Sequence, residues 1–123
     1  LNVKFFGMVD EETLHRACIK CYAFLNPRPI DFKPNTLNFP SKLLHYLRYC
    51  KPILSTKTPG IPSEYDNILD YYTDHSLFSS FTDLLDLTYI DYVQKSRLIR
   101  KFASGKTWHN RSPQLHEFLF HSP

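Results

Sequence analysis

Ser41 and Lys42 follow Phe39-Pro40 at the start of a segment in which Leu43, Leu44 and Leu47 recur at helical spacing. A hydroxyl, an ammonium group and the free amides of a first helical turn are the parts needed to hold a phosphate. The same residues also fit a plainer arrangement, in which Ser41 caps the helix and Lys42 is solvated. His45, one turn further on, either faces a ligand beside Ser41 or is a partly buried, hydrogen-bonded histidine. Two other segments have the form of a strand end running into a turn, Gly7-Met8-Val9-Asp10 and the stretch from Ser55 to Pro62. Cys18 and Cys21 have C-x2-C spacing with His15 three residues earlier. A zinc site needs a fourth ligand and usually a second such pair, neither of which is evident, so core packing is the reading for these thiols. His75, His109, His116 and His121 sit in polar or terminal stretches without the carboxylate spacing of catalytic zinc and are read as surface. With three glycines in the chain, a glycine-rich phosphate loop is ruled out.

These groups must be positioned by one domain, since 123 residues are too few for two independent cores. A composition of 42% hydrophobic and 22% charged residues argues against both disorder and a coiled coil. The net charge of +3 is mild and the basic residues are spread out, which favours an anionic ligand only weakly and gives no run that grips nucleic acid by charge alone. No stretch approaches the length of a membrane span and no signal peptide is seen, so the expected location is cytoplasmic. Three cysteines fit free thiols better than a disulfide framework.

The apolar run from Leu1 to Phe6 predicts a buried strand ending at Gly7. Asp10 is an N-cap for a helix to about Ile19, with Glu11 and Glu12 favouring its dipole and Leu14, Ala17 and Cys18 on its inner face. Cys21 to Leu25 predicts a second strand. Residues 26–40 contain Pro27, Pro29, Pro34 and Pro40 and read as a long stiffened loop. A helix over Ser41 to Tyr49, a strand over Pro52 to Thr56, a strand over Asn67 to Tyr72 and a helix over Leu77 to Leu87 follow, the last with Leu77, Phe81, Leu84 and Leu85 inward. Residues 89–120 form C-terminal helices, the first basic and amphipathic, with Trp108 as a packing anchor. This alternation predicts an α/β fold with a parallel sheet and helices on both faces.

Three further blocks carry a family likeness. Phe39-Pro40-Ser41-Lys42-Leu43-Leu44-His45-Tyr46-Leu47, then Lys51-Pro52-Ile53-Leu54-Ser55-Thr56, then Pro59-Gly60-Ile61-Pro62-Ser63-Glu64-Tyr65, resemble bacterial glycosyltransferases of family 4. There the pattern runs F-P-S-K-L-x-E-Y, G-K-P-V-x-S-T and P-G-I-P-x-E-Y. Val3 to Val9 resembles the strand and turn before the family's donor site, and Trp108 resembles a tryptophan near its last helices.

The resemblance implies a three-layer, Rossmann-like domain, the C-terminal half of a GT-B fold, belonging to a longer chain whose N-terminal acceptor domain is missing here. It implies a retaining transferase using a nucleotide diphosphate-sugar as substrate, without a metal, and acting on a glycan or lipid-linked acceptor in polysaccharide synthesis. By the same resemblance the backbone at Met8 and Val9 faces the base, Ser41 and Lys42 with neighbouring Asn38 and Phe39 face the diphosphate or sugar, and Arg28 approaches phosphate. His45 falls where the family has a glutamate on the ribose hydroxyls, and an imidazole accepts one hydrogen bond where a carboxylate receives two hydroxyls. Leu37 replaces the family's first acidic residue, and Cys50 replaces the glycine before Lys51. These departures leave an alternative, a non-catalytic homologue serving as a nucleotide-binding or assembly module. Nucleic acid is not an expected partner; peripheral contact with the inner face of the cell membrane is compatible with a lipid-linked acceptor. The 123-residue chain alone is expected to be inactive, because a GT-B site needs both domains to close.

Overall fold

The computed structural model describes residues 3–121, with the backbone alone at 115 and 118–121. Its first helix, α1, spans Glu11–Lys20. Asp10 has extended backbone geometry, and its carboxylate accepts a hydrogen bond from the Thr13 amide at 2.7 Å. That bond satisfies one of the orphan donors of the first turn and holds the Asp10 carboxyl below its ordinary range. At the other end, Lys51 Nζ donates to the carbonyls of Ile19 and Cys21, so a cation sits on the negative end of the helix.

Three short strands form a parallel sheet in the order β1, β2, β3: β1 is Phe24–Asn26, β2 is Ile53–Thr56 and β3 is Asp70–Tyr72. Phe24 pairs with Ile53 and Asn26 with Ser55, while Leu54 pairs with Asp70 and Thr56 with Tyr72. All of β2 is buried, as expected of a central parallel strand. Helix α2, Lys42–Leu47, packs against β1, and helix α3, Leu77–Leu85, packs against β3. Helix α4, Tyr89–Gly105, lies against α2 and is followed by α5, Trp108–His121. The protein is therefore a mixed α/β domain. No helix among the described residues is long and apolar enough to cross a membrane.

The core gathers Leu43 and Leu47 from α2, Phe24 and Ile53 from the sheet, Ile61, Tyr65, Ile68 and Leu69 from the connection between β2 and β3, and Ile99 from α4. Phe24 stacks on Tyr46 with ring centroids 4.4 Å apart, and Tyr65 lies between Phe39 and Phe102 at 5.1 and 4.9 Å. Cys18 joins this core, while Cys21 is half-buried with its thiol donating to the Cys18 carbonyl at 3.2 Å. Burial pushes the Cys21 thiol up, against the opposing pull of Lys51.

Several expectations are corrected. Leu1 and Asn2 lie outside the described residues, and the rest of the predicted first strand is not a strand: Val3, Phe5 and Phe6 are exposed and unladdered. An apolar run becomes a strand only by pairing, and the sheet contains β1, β2 and β3 alone among the described residues. The inner face of α1 reduces to Cys18, with Leu14 and Ala17 exposed, and of the four inward residues predicted on α3 only Leu84 is buried. Strands of three and four residues offer too little sheet surface to cover a full helical stripe. Trp108 is 74% exposed and anchors no core. Within the proline-rich loop, Lys33–Thr36 forms a 3-10 turn, which Pro34 tolerates because it stands in the first turn.

Candidate functional site

The motif blocks meet at the carboxyl end of β1. Asn26 Nδ2 donates to Ser55 Oγ at 2.9 Å, so two buried polar groups satisfy each other at the last rung of the ladder. Beyond it Thr56 Oγ1 accepts from the Arg28 amide at 3.0 Å and donates to the Arg28 carbonyl at 2.8 Å. This double bond to one backbone residue fixes Arg28 just past the strand, although Pro27 and Pro29 on either side cannot donate to a ladder.

The loop that follows is pinned at further points. Asn35 is buried, its Nδ2 donates to the Pro29 carbonyl at 2.6 Å, and its own carbonyl accepts from the Gly60 amide at 3.2 Å. A Cβ on Gly60 would lie 2.4 Å from the Asn38 carbonyl oxygen and 2.9 Å from that of Asn35, which explains why glycine stands there. Glu64 pairs with Lys106, just after α4, at 2.5 Å, Tyr65 is buried, and Phe39 spends its ring on Tyr65. Lys51 caps α1, as described. Cys50 has φ of +52°, a left-handed conformation at the exit of α2 that glycine adopts without strain, and this is the position where the resembling family carries glycine.

Most of the motif is thus committed to the fold. Arg28, Ser41 and Lys42 are not, and they line one cleft of about 240 Å³ together with Asn26, Pro40 and Tyr46. Arg28 Nη1 is buried without a hydrogen-bonding partner among the described residues. Among the described residues no carboxylate pairs with Lys42. Ser41 is already helical at φ −54° and ψ −26° and its hydroxyl makes no capping bond, so the capping alternative is not what the residue does. No carboxylate lines the cleft. Tyr46 completes it with a phenol that burial pushes up, a neutral group able to donate or accept. Sequence reasoning missed Tyr46 as a cleft residue, although its i+4 spacing from Lys42 was the available signal.

His45 does not enter this cleft. It lines a second one, of about 470 Å³, with Glu11, Glu12, Leu14 and His15 of α1 and with Arg48 and Tyr49. The expectation that His45 shares a side with Ser41 assumed α-helical winding of about 100° per residue. The segment enters through three-residue bonds, Leu43 amide to Pro40 and Leu44 amide to Ser41, so Ser41 stands in a tightened entry to the α-helix and regular spacing counted from it does not put His45 on its side. His45 Nε2 is buried without a partner among the described residues, so the satisfied-histidine alternative does not hold either. The rings of His45 and His15 both lie against Tyr49, at 5.5 and 5.6 Å, and His15 Nδ1 shares a 2.9 Å hydrogen bond with the Tyr49 hydroxyl.

Met8 and Val9 are exposed and immediately precede Asp10 and the α1 residues of this second cleft, with Gly7 at φ +64° making the turn. Asn38 is exposed and presents its carbonyl to Gly60, and Leu37 is 87% exposed and borders neither cleft. Among the described residues no group of three or more His, Cys, Asp or Glu side chains is arranged to hold a metal ion. No protein-family model, curated protein or solved structure matches the chain.

Proposed function

We propose that the chain is the donor-binding domain of a nucleotide-sugar-dependent glycosyltransferase. The observation that carries this reading is the cleft at the carboxyl end of β1. It brings two cations without a carboxylate partner among the described residues, Arg28 and Lys42, and a hydroxyl that makes no cap bond, Ser41, to the place where open parallel sheets bind ligands. A buried guanidinium nitrogen without an acceptor costs the folded state on the order of 1 to 3 kcal/mol, a cost that a diphosphate oxygen removes. In this reading the nucleoside is taken up by the cleft of His15, His45 and Tyr49, whose α1 residues follow the Met8-Val9 turn in the chain. Placing the glycine of the resembling family at Cys50, the one left-handed non-glycine residue among the described residues, supports the likeness independently of the clefts.

In this reading the domain is three-layered and Rossmann-like, it works without a metal, and it meets a second, acceptor-binding domain when transfer occurs in the cytoplasm on a glycan or lipid-linked acceptor. Arg28 and Lys42 neutralise charge that builds on the leaving diphosphate, the kind of positioning and electrostatic work that retaining transfer requires. Calorimetric titration with uridine, guanosine and adenosine diphosphates, beside inorganic pyrophosphate, tests it. Lys42→Ala should weaken binding of both nucleotide and pyrophosphate by about 1.5 to 3 kcal/mol, the range for a hydrogen bond to a charged group, with an unchanged melting curve. His45→Glu should strengthen nucleotide binding alone, by restoring a two-hydroxyl acceptor. Absence of binding at millimolar ligand by the parent chain would favour a non-catalytic assembly module.

A further inference from the structure

We infer that the face shared by α2 and α4 docks on an anionic membrane leaflet. This rests on observations separate from the donor reading. Between the two helices runs an open groove of about 420 Å³ with an apolar floor of Leu44, Leu47 and Ala103 and a rim that includes Arg48, Arg100 and Lys106. Lys106 is engaged by Glu64, but among the described residues no carboxylate pairs with Arg48 or Arg100, and none lines the groove.

The basic character continues along α4. At about 100° per residue, Arg97, Arg100, Lys101 and Ser104 fall within one arc of the helix surface, and Arg97 and Lys101 are exposed and free of carboxylate partners among the described residues. Leu44 is 48% exposed on the groove floor, and Thr107 at its end leads directly to Trp108, which is 74% exposed.

Unpaired arginines around an apolar slot, with an open tryptophan beside them, match the interface of a bilayer: phosphate headgroups answer the cations, acyl carbons answer the floor, and the indole sits at headgroup level. A nucleic acid answers the charge but leaves the apolar floor in water. The charge complementarity and the floor together therefore select an anionic lipid surface.

Trp108 is the sole tryptophan, so its emission reports on this face without labelling. The full chain is mixed with vesicles of phosphatidylcholine, alone or with about one third phosphatidylglycerol, and followed by co-sedimentation and by Trp108 fluorescence. Expected are sedimentation with the anionic vesicles only, a blue shift of the emission on binding, and release as salt is raised. The double variant Arg48→Gln, Arg100→Gln, with both side chains exposed and the fold checked by circular dichroism, should lose roughly 30-fold in partitioning, at about 1 kcal/mol per cation near the surface. No association with anionic vesicles, equal association with neutral ones, or undiminished binding by the double variant would overturn the proposal. So would tight, salt-sensitive binding to single-stranded RNA without vesicle binding, which would give the stripe to a nucleic acid.

Discussion

Replacing Gly60 by alanine should damage both the fold and the cleft, through backbone contacts that no side-chain rotation can relieve. The new methyl carbon would sit 2.4 Å from the Asn38 carbonyl oxygen, 2.8 Å from the carbon of that carbonyl and 2.9 Å from the Asn35 oxygen. All three are main-chain atoms, so the chain at 35–38 has to move, and the 3.2 Å bond from the Gly60 amide to the Asn35 carbonyl is lost as it does. Overpacking of this kind costs about 1 to 3 kcal/mol, and the hydrogen bond about 0.5 to 1.5 more, for a total of roughly 2 to 4. With a urea m-value of about 2 kcal/mol/M, the middle of the range for small domains, the unfolding midpoint should fall by about 1 to 2 M. Far-ultraviolet circular dichroism is the suitable probe, because Trp108 is largely exposed in the native state and reports core unfolding poorly. The displaced segment leads through Pro40 into Ser41 and Lys42, so nucleoside diphosphate affinity should fall with stability, even at temperatures where the variant is fully folded. A midpoint within about 0.3 M of the parent, at an unchanged m-value, would show that the close approach of the two loops does not exist in solution.

Cys50→Gly should stabilise the domain by about 0.5 to 1 kcal/mol. Relief of a left-handed non-glycine residue is worth roughly 1 to 2 kcal/mol, and the added freedom of glycine in the unfolded chain takes back a part, as a urea melt would show. Asp66 accepts bonds from Lys57 at 2.8 Å and from the Tyr71 hydroxyl at 3.0 Å, which hold its carboxyl below the ordinary value of 3.8. A depressed folded-state value contributes stability above the unfolded value that is lost as pH falls through the folded one. The melting advantage of the parent over Asp66→Asn should therefore be present at neutral pH and vanish on acidification below about 3.8. Melting curves of the two proteins across that range check the sign.

The parts of the fold that were legible in the sequence are those decided locally. Asp10 with Thr13 three residues on, and Leu43 with Leu47 one turn apart, have interactions that a short segment supplies for itself, and the helices formed there. The prolines after Asn26 likewise excluded an α-helix and a strand by their own geometry, leaving the 3-10 turn Lys33–Thr36. Residues 3–6 failed because apolar content makes a strand only in the presence of a partner, which spacing within the segment cannot reveal. Leu14, Phe81 and Leu85 have the pattern of an inner face, yet the size of the surface they were to cover depends on strand lengths set elsewhere. At the site, Lys42 was legible as a cation at a helix start and Arg28 came only from the family resemblance, and the fold lines one cleft with both. Their convergence needed Thr56, a residue whose role is visible only once β1 and β2 are in register. His45 was misplaced for a subtler reason: Ser41 lies in the three-residue-bonded entry to α2, so helical spacing counted from it does not hold.

The pinning of residues 26–40 has a thermodynamic consequence for whatever occupies the cleft. A loop of fifteen residues left free would lose on the order of 1 kcal/mol or more of backbone entropy per residue if it ordered only around its ligand. Here Thr56 holds its beginning, Asn35 ties its middle to both Pro29 and Gly60, and buried Pro40 closes its end. The disorder has been removed during folding. Association should then proceed without a slow ordering phase, with a small heat-capacity change and a rate that is independent of loop composition so long as the three ties remain. Cutting one tie converts the cleft from a rigid receptor into one that must be assembled by its ligand, and the loss appears as unfavourable entropy of binding while every contacting side chain stays in the sequence.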